Sequence, residues 1–269
     1  MLPNKKIDEK LDAERIKAAI DPENLGTLAA LDIFDSINST NTYLLECAKV
    51  GSLSGSVCIA QQQTKGRGRH GRVWNSDSGS NLYFSMIWHF PAKQSDLSSL
   101  SIAVAVIVAT ALKKYGISGI ELKWPNDVLF SGRKLAGILL ETLPEQDDQI
   151  PVVIGIGVNL AFSSEIVEPS WIDITEITSQ PCSRNYIAGL LINELLVRLP
   201  DYKNTGLRAF LEESHLYDFL LNKSVVIHAG EKTFHGEMVG INIEGELLLK
   251  KASGLIEGFR CGEVSVRLD

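Results

Sequence analysis

A chain of 269 residues that is 45% hydrophobic and 22% charged has the make-up of a soluble globular protein, long enough for one large core and a second small one. A formal net charge of −7 argues against a dedicated nucleic-acid binder, whose phosphate footprint makes a domain basic. The longest apolar run, residues 102–112, falls short of the roughly 20 residues of a membrane span, and the N-terminus runs into charged sequence without an apolar signal region.

Taken in order, residues 8–20 have the periodicity of a short amphipathic helix that stops at Asp21-Pro22, and residues 31–34 read as a strand. One weak helix is too little for a helix-turn-helix module, so specific DNA binding is not expected. Ser39-Thr40-Asn41 precedes a helix over 43–49 that Gly51 stops. Hydroxyls at a helix N-terminus either cap it or receive the polar head of a ligand.

A buried strand at 57–60 leads into Gln63-Thr64-Lys65-Gly66-Arg67-Gly68-Arg69-His70-Gly71-Arg72, and a strand over 81–90 leads out. Glycines that reach φ > 0 and planar, permanently charged guanidinium groups suit a loop that wraps a phosphate or carboxylate. On its own such a loop is equally a solvated basic surface, and the motifs C-terminal to it decide between the two. Asp96 or Ser98 is expected to cap a helix running through Tyr115, whose middle, residues 102–109, is apolar on every side and so belongs in the core. A strand over 120–124 ends at Pro125, with Asn126 and Asp127 immediately after it. Residues 131–133 turn the chain into a partner strand over 134–141. Lys134 opens that apolar run, facing either solvent or an anion in a cleft.

The strand over 151–160 places Gly155, Gly157 and Asn159 on one face, which leaves room for a ligand or for a packed helix. A polar loop over 162–170 leads to Trp171, whose ring either stacks on a base or anchors the loop. Helices are expected over 183–199 and 205–217. From residue 221 short alternating runs with tight turns predict a barrel of about five strands. The four cysteines, Cys47, Cys58, Cys182 and Cys261, form no CxxC pair and suggest neither a zinc site nor a disulfide framework, which fits a reducing cytoplasm.

In one order, Ser39-Thr40-Asn41, the Gly66 to Arg72 loop, Asn81-Leu82-Tyr83, Lys123-Trp124-Pro125-Asn126-Asp127, Lys134-Leu135-Ala136-Gly137 and Gly155-Ile156-Gly157-Val158-Asn159 resemble the biotin protein ligases, over nearly all of the chain after residue 30. The resemblance implies an α+β fold: an N-terminal extension over 1–30, a mixed-sheet catalytic domain packed by helices over 31–220, and an SH3-like β-barrel over 221–269. It implies that biotin and ATP form biotinyl-5′-AMP, and that the acyl group passes to one lysine of a biotin carboxyl carrier protein. Lipoate ligases share the fold and reaction type, but the paired KWPND and GRGRHGR motifs point away from them. A biotin-responsive repressor would need the DNA-reading domain not seen in the sequence.

The resemblance also implies roles for single residues. Ser39, Thr40, Asn41 and Gln63 meet the ureido ring of biotin, and Gly137 and Gly155 let the ligand lie flat. Gly66, Arg67, Gly68, Arg69 and Arg72 close over the adenylate, with Arg67, Arg69 and Lys134 facing the reacting carboxylate and phosphate. Trp74, Lys123, Asn126, Asn159 and Trp171 belong with Arg67, Arg69, Arg72 and Lys134 at ATP, Trp171 stacking on adenine. Asp127 and Asn159 ligate a phosphate-bound Mg²⁺. Gln61 stands where many relatives carry Glu, and His70 fills the variable position of the arginine loop. No membrane partner is implied, and monomer and homodimer are both left open.

Overall fold

The computed structural model of the chain describes residues 7, 9–76, 81–94, 97–162, 170–178, 181–262 and 264–269. Seven strands build the larger sheet: Ala30–Phe34 (β1), Ser56–Ala60 (β2), Asn81–Pro91 (β3), Ile120–Lys123 (β4), Asp127–Phe130 (β5), Arg133–Thr142 (β6) and Gln149–Asn159 (β7). Their order is β1-β2-β3-β7-β6-β5-β4, parallel only between β1 and β2. β3 and β7 form the centre, paired from Asn81 opposite Asn159 to Pro91 opposite Gln149. Both are buried nearly throughout, because the sheet is covered on both faces and neither side can be left polar.

Helices supply the cover. On one face lie Leu100–Lys114 (α3) and Arg184–Thr205 (α5), packed against each other and under the sheet. α3 is buried on every side of its middle, as its apolar sequence requires. On the other face lies Thr40–Lys49 (α2), whose Leu44 and Ala48 pack on Cys58, Ile87 and Val153. The same face, further along β6 and β7, is left open as a cavity. Two short helices, Ala13–Lys17 (α1) and Ile174–Ile177 (α4), dock at the margins.

Several local expectations change. Of the helix expected over 8–20, the described residues give only the five-residue α1, capped by Asp12. Glu9 and Lys10 are instead drawn out along α5, where Glu9 accepts from Ser183 Oγ and Lys10 O accepts from Asn185 Nδ2. The cap of α3 is Ser99, with no side-chain capping bond, because its hydroxyl is engaged with Tyr202 at 2.9 Å; Asp96 lies outside the described residues. α5 runs past Leu199 through Pro200 to Thr205. Proline removes one helical hydrogen bond, but Tyr202, buried edge-on against Phe90 at 5.7 Å, holds the next turn in place. The helix expected over 205–217 is a 3₁₀ turn, Gly206–Phe210, followed by Leu211–Leu216 (α6). The strand ending near Pro125 stops at Lys123, and residues 127–130 are a strand of their own between β4 and β6.

The chain then crosses the edge of β4, where Leu122 N donates to Tyr217 O at 2.7 Å and Phe219 N to Leu122 O at 2.9 Å. Beyond it Ser224–Ala229 (β8), Lys232–Ile241 (β9), Leu247–Lys250 (β10), Ile256–Phe259 (β11) and Val264–Leu268 (β12) form an antiparallel sheet ordered β11-β10-β9-β8-β12. A helix-packed mixed sheet followed by a small five-stranded one is the expected α+β architecture.

Candidate active site

A cavity of about 350 Å³ opens on the α2 face of the large sheet, floored by β6 and β7, roofed by the loop between β2 and β3, and closed at one side by β12. At its α2 end a polar network is built from the helix N-terminus. Ser39 caps the helix through Thr42 N. Thr40 donates from N and Oγ1 to Gln63 Oε1 at 2.9 and 3.1 Å. Ser85, fully buried on β3, donates to Asn41 Oδ1 at 2.5 Å, and its hydroxyl lies 2.7 Å from that of Thr40. Asn41 in turn donates to Glu141 Oε2 at 2.9 Å. Asn41 fits here only because position 155 is glycine: a Cβ there would lie 2.8 Å from Asn41 Cγ.

The Gly/Arg loop folds back on itself. Gly68 N donates to Arg72 O at 2.7 Å, Trp74 N donates to Gly66 O at 3.1 Å, and Arg67 pairs with Val73. Left-handed backbone occurs at His70 (φ 54) and Gly71 (φ 70) and not at Gly66 or Gly68. Gly66 is required by crowding instead, since a Cβ would meet Ser76 Oγ and Trp74 O, both at 2.5 Å. Two arginines are tied across the cavity: Arg67 to Glu141 at 2.8 Å, and Arg69 to Asn126 Oδ1 at 2.9 Å and Gly262 O at 3.0 Å. Asn126 is itself fixed, because its Nδ2 donates to Ile138 O at 2.9 Å.

At the other end Lys134 faces inward. Its Nζ is 2.6 Å from Asp127 Oδ1 and 5.5 Å from the centroid of Trp74. The Lys134 backbone is held by Ser170 O and Ile172 N, which brings Trp171 alongside. Trp74 lies over the glycine floor, where Cβ atoms at Gly137 and Gly157 would come within 3.0 Å of Cζ3 and 2.5 Å of Cε2. The Trp74 and Trp171 rings are nearly parallel, 6.5 Å apart at 17°. The indole Nε1 of Trp74 is buried with no hydrogen-bond partner among the described residues, a loss of about 1–3 kcal/mol if nothing enters to accept from it. Lys123 also faces the cavity, and burial, with Lys134 and Arg267 as like charges, pulls its pKa down against the opposing pull of Asp127.

Ser39, Thr40, Asn41, Gln63, Arg67, Arg69, Arg72, Trp74, Lys123, Asn126, Asp127, Lys134, Gly137, Gly155 and Trp171 thus surround one cavity. Two of the expected site residues do not. Gly66 stands behind the loop, and Asn159, 3% exposed, donates from Nδ2 to Lys134 O at 3.0 Å, bracing the strand that carries the lysine. Of the two residues expected at a metal, only Asp127 faces the cavity. Sequence reasoning missed Ser85, Glu141 and the β12 wall at Val264 to Arg267. A serine inside the apolar run Leu82-Tyr83-Phe84-Ser85-Met86 was a usable signal for the first; the others depend on pairings distant in sequence.

Known proteins resemble this chain in sequence and in fold. The model of the biotin/lipoate A/B protein ligase family matches residues 33–159. The chain is 37% identical to the bifunctional ligase/repressor BirA of Escherichia coli over 261 residues, 96% of this chain and 78% of that protein. It is 36% identical to the biotin–[acetyl-CoA-carboxylase] ligase of Mycobacterium tuberculosis over 181 residues, 65% of this chain and 66% of that protein. Among solved structures, the biotin protein ligase of Aquifex aeolicus in complex with biotin and ATP superposes with a TM-score of 0.78 at 29% identity, covering 89% of this chain and 99% of the other. The chain belongs to the biotin protein ligases of the biotin/lipoate ligase family, with the fold of that family, and is an ATP-dependent biotin–[acetyl-CoA-carboxylase] ligase.

Proposed function

We propose that the two steps of the ligase reaction run in this one cavity, with biotin's ring at the α2 end and the nucleotide between the tryptophans and Lys134. A biotin carboxylate oxygen attacks the α-phosphorus of ATP, the bond to the β-phosphate oxygen breaks, and pyrophosphate leaves. The neutral amine of a carrier lysine then attacks the acyl carbon, the bond to AMP breaks, and an amide forms with loss of a proton. The observation that carries this reading is the cavity's division into two ends. One is a network of hydroxyl and amide groups, Thr40, Asn41, Gln63 and Ser85, backed by a Glu141 whose charge Arg67 balances, and suited to a ureido ring; the other holds the Lys134–Asp127 pair.

The cations serve the reacting atoms. Lys134 and Arg69 stand where two anions must approach, so they favour the transition state over either separated reactant. Trp74 and Trp171 offer parallel faces to adenine, and the unpartnered Trp74 N–H offers a donor to the incoming ligand. The residues fit a Mg²⁺ that arrives with the nucleotide. Among the described residues no cluster of three or more His, Cys, Asp or Glu side chains is suited to hold a metal alone, whereas one carboxylate beside phosphate oxygens and water is a donor set this ion accepts. Asp127 would hold it, and the ion would neutralise phosphate charge. Lys134, paired with Asp127 at 2.6 Å, is the ammonium that faces the carboxylate and α-phosphate.

The acceptor is the lysine of a biotin carboxyl carrier protein. We further propose a catalytic unit over 31–220 and a barrel unit over 221–269. A reducing cytoplasm suits the four cysteines, none of which is in a disulfide among the described residues. No helix among the described residues is long and apolar enough to cross a membrane. The test of acid selectivity is pyrophosphate release with biotin or lipoate at equal concentration. Biotin is expected to support turnover and lipoate, which has no ureido group for Thr40 and Gln63, is expected to fall at least about 10²-fold lower, since buried polar groups would be left unpaired. Equal turnover with both acids contradicts the assignment of the α2 end.

A further inference from the structure

Residues 123–127 join β4 to β5 and bring Lys123, Asn126 and Asp127 to the cavity. One end of this segment is held from β6, through Asn126 Nδ2 on Ile138 O and Asp127 on Lys134. The other end is held from the small sheet. Trp124 is 4% exposed, and its Nε1 donates to Gly245 O at 3.0 Å in the turn between β9 and β10. That turn is rigid in itself: Asn242 N donates to Glu246 O at 3.0 Å, Glu246 N to Asn242 Oδ1 at 2.8 Å, and Asn242 Nδ2 to Glu246 Oε2 at 2.9 Å. It is also wedged, because Gly245 has φ +82 and a Cβ there would lie 2.5 Å from Ser99 Cβ at the start of α3.

From this we infer that Trp124 is a positioning residue, through which the turn over 242–246 sets the placement of Lys123, Asn126 and Asp127 toward the nucleotide. The inference rests on the reading that this segment faces ATP. Trp124 borders the cavity, but its one polar atom is turned away from it to Gly245 O, so its part is to hold its neighbours. The small sheet is then a working wall of the site at two places, β12 along the cavity and this turn behind it. The biotin end is built from α2, β3 and Gln63, and its network runs through Thr40, Asn41, Ser85 and Gln63.

The separating experiment uses the full chain with Trp124→Phe, which keeps an apolar ring and removes the donor, and Gly245→Ala, which disturbs the same contact from the far side. Pyrophosphate release is followed against ATP concentration, biotin binding is measured without ATP, and melting is recorded for both. Loss of one buried hydrogen bond is expected to raise KM for ATP about tenfold in either variant, with biotin affinity within about twofold of the parent. Asp127→Asn is run alongside. If Asp127→Asn raises KM for ATP and neither Trp124→Phe nor Gly245→Ala does, positioning by Trp124 is overturned and the nucleotide reading stands. If none of the three changes it, both fall. A parallel loss of biotin and ATP affinity marks a general loss of structure and also overturns the inference. Should Trp124→Phe not fold, Gly245→Ala decides on the same scale.

Discussion

Replacing Lys134 with glutamine is expected to slow biotinyl-5′-AMP formation by about 10²–10³-fold, or roughly 3–4 kcal/mol, while the protein stays folded and binds biotin. Two magnitudes separate these outcomes. In the resting protein Lys134 is paired with Asp127 at 2.6 Å, but both side chains are about a quarter exposed. A partly exposed pair contributes on the order of 1 kcal/mol to folding, so its loss moves the melting temperature by a few degrees. Its value appears when the carboxylate and the α-phosphate come together, because a fixed cation there has no reorganisation left to do. Glutamine keeps most of the side-chain volume over Gly137 and removes only the charge. Single-turnover adenylation, biotin binding and melting are measured on the same preparation. Near-native adenylation by a folded variant would remove Lys134 from the mechanism.

The second large effect is expected from Gly155→Ala, which adds one methyl group and no charge. That methyl meets the amide of Asn41, which cannot move aside freely because Ser85, Glu141 and the Leu139 carbonyl all hold it. Overpacking costs about 1–3 kcal/mol, and each buried hydrogen bond broken in the Asn41, Ser85, Thr40, Gln63 chain adds a comparable amount. Biotin affinity is expected to fall about 10²-fold. The contrast with Lys134→Gln is in the step affected: Gly155→Ala weakens biotin binding, whereas Lys134→Gln slows chemistry on bound biotin. Calorimetry without ATP distinguishes them, and unchanged biotin affinity in Gly155→Ala would remove the Asn41 network from the biotin end.

Features were legible in the sequence where their physical cause is local. The arginine loop, the Lys123 to Asp127 turn, Lys134 and the glycines of β7 each carry their chemistry within a few residues, and the fold brings nearly all of them to one cavity. Gly155 and Gly157 were readable as a bare patch of sheet because strand alternation is local; that Asn41 and Trp74 fill the patch was not, because those contacts span the chain. Asn159 misled for the same reason. Its residue type suits a metal or a phosphate, but the register of β7 beside β6 turns its amide to the Lys134 carbonyl. The helix expected over 183–199 runs on through Pro200 to Thr205, held by the buried packing of Tyr202, which is not a local signal.

Transfer of a biotinyl group from ATP-activated biotin to a carrier lysine is the activity on which every residue role above depends. The most direct measurement is the intact mass of a purified biotin carboxyl carrier domain after incubation with the protein, ATP, Mg²⁺ and biotin, beside a carrier whose acceptor lysine is replaced by arginine. The expected result is a gain of one biotinyl group on the first carrier, none on the second, and none on either when ATP is left out. An unchanged mass on the first carrier, or an equal gain on both, would contradict it.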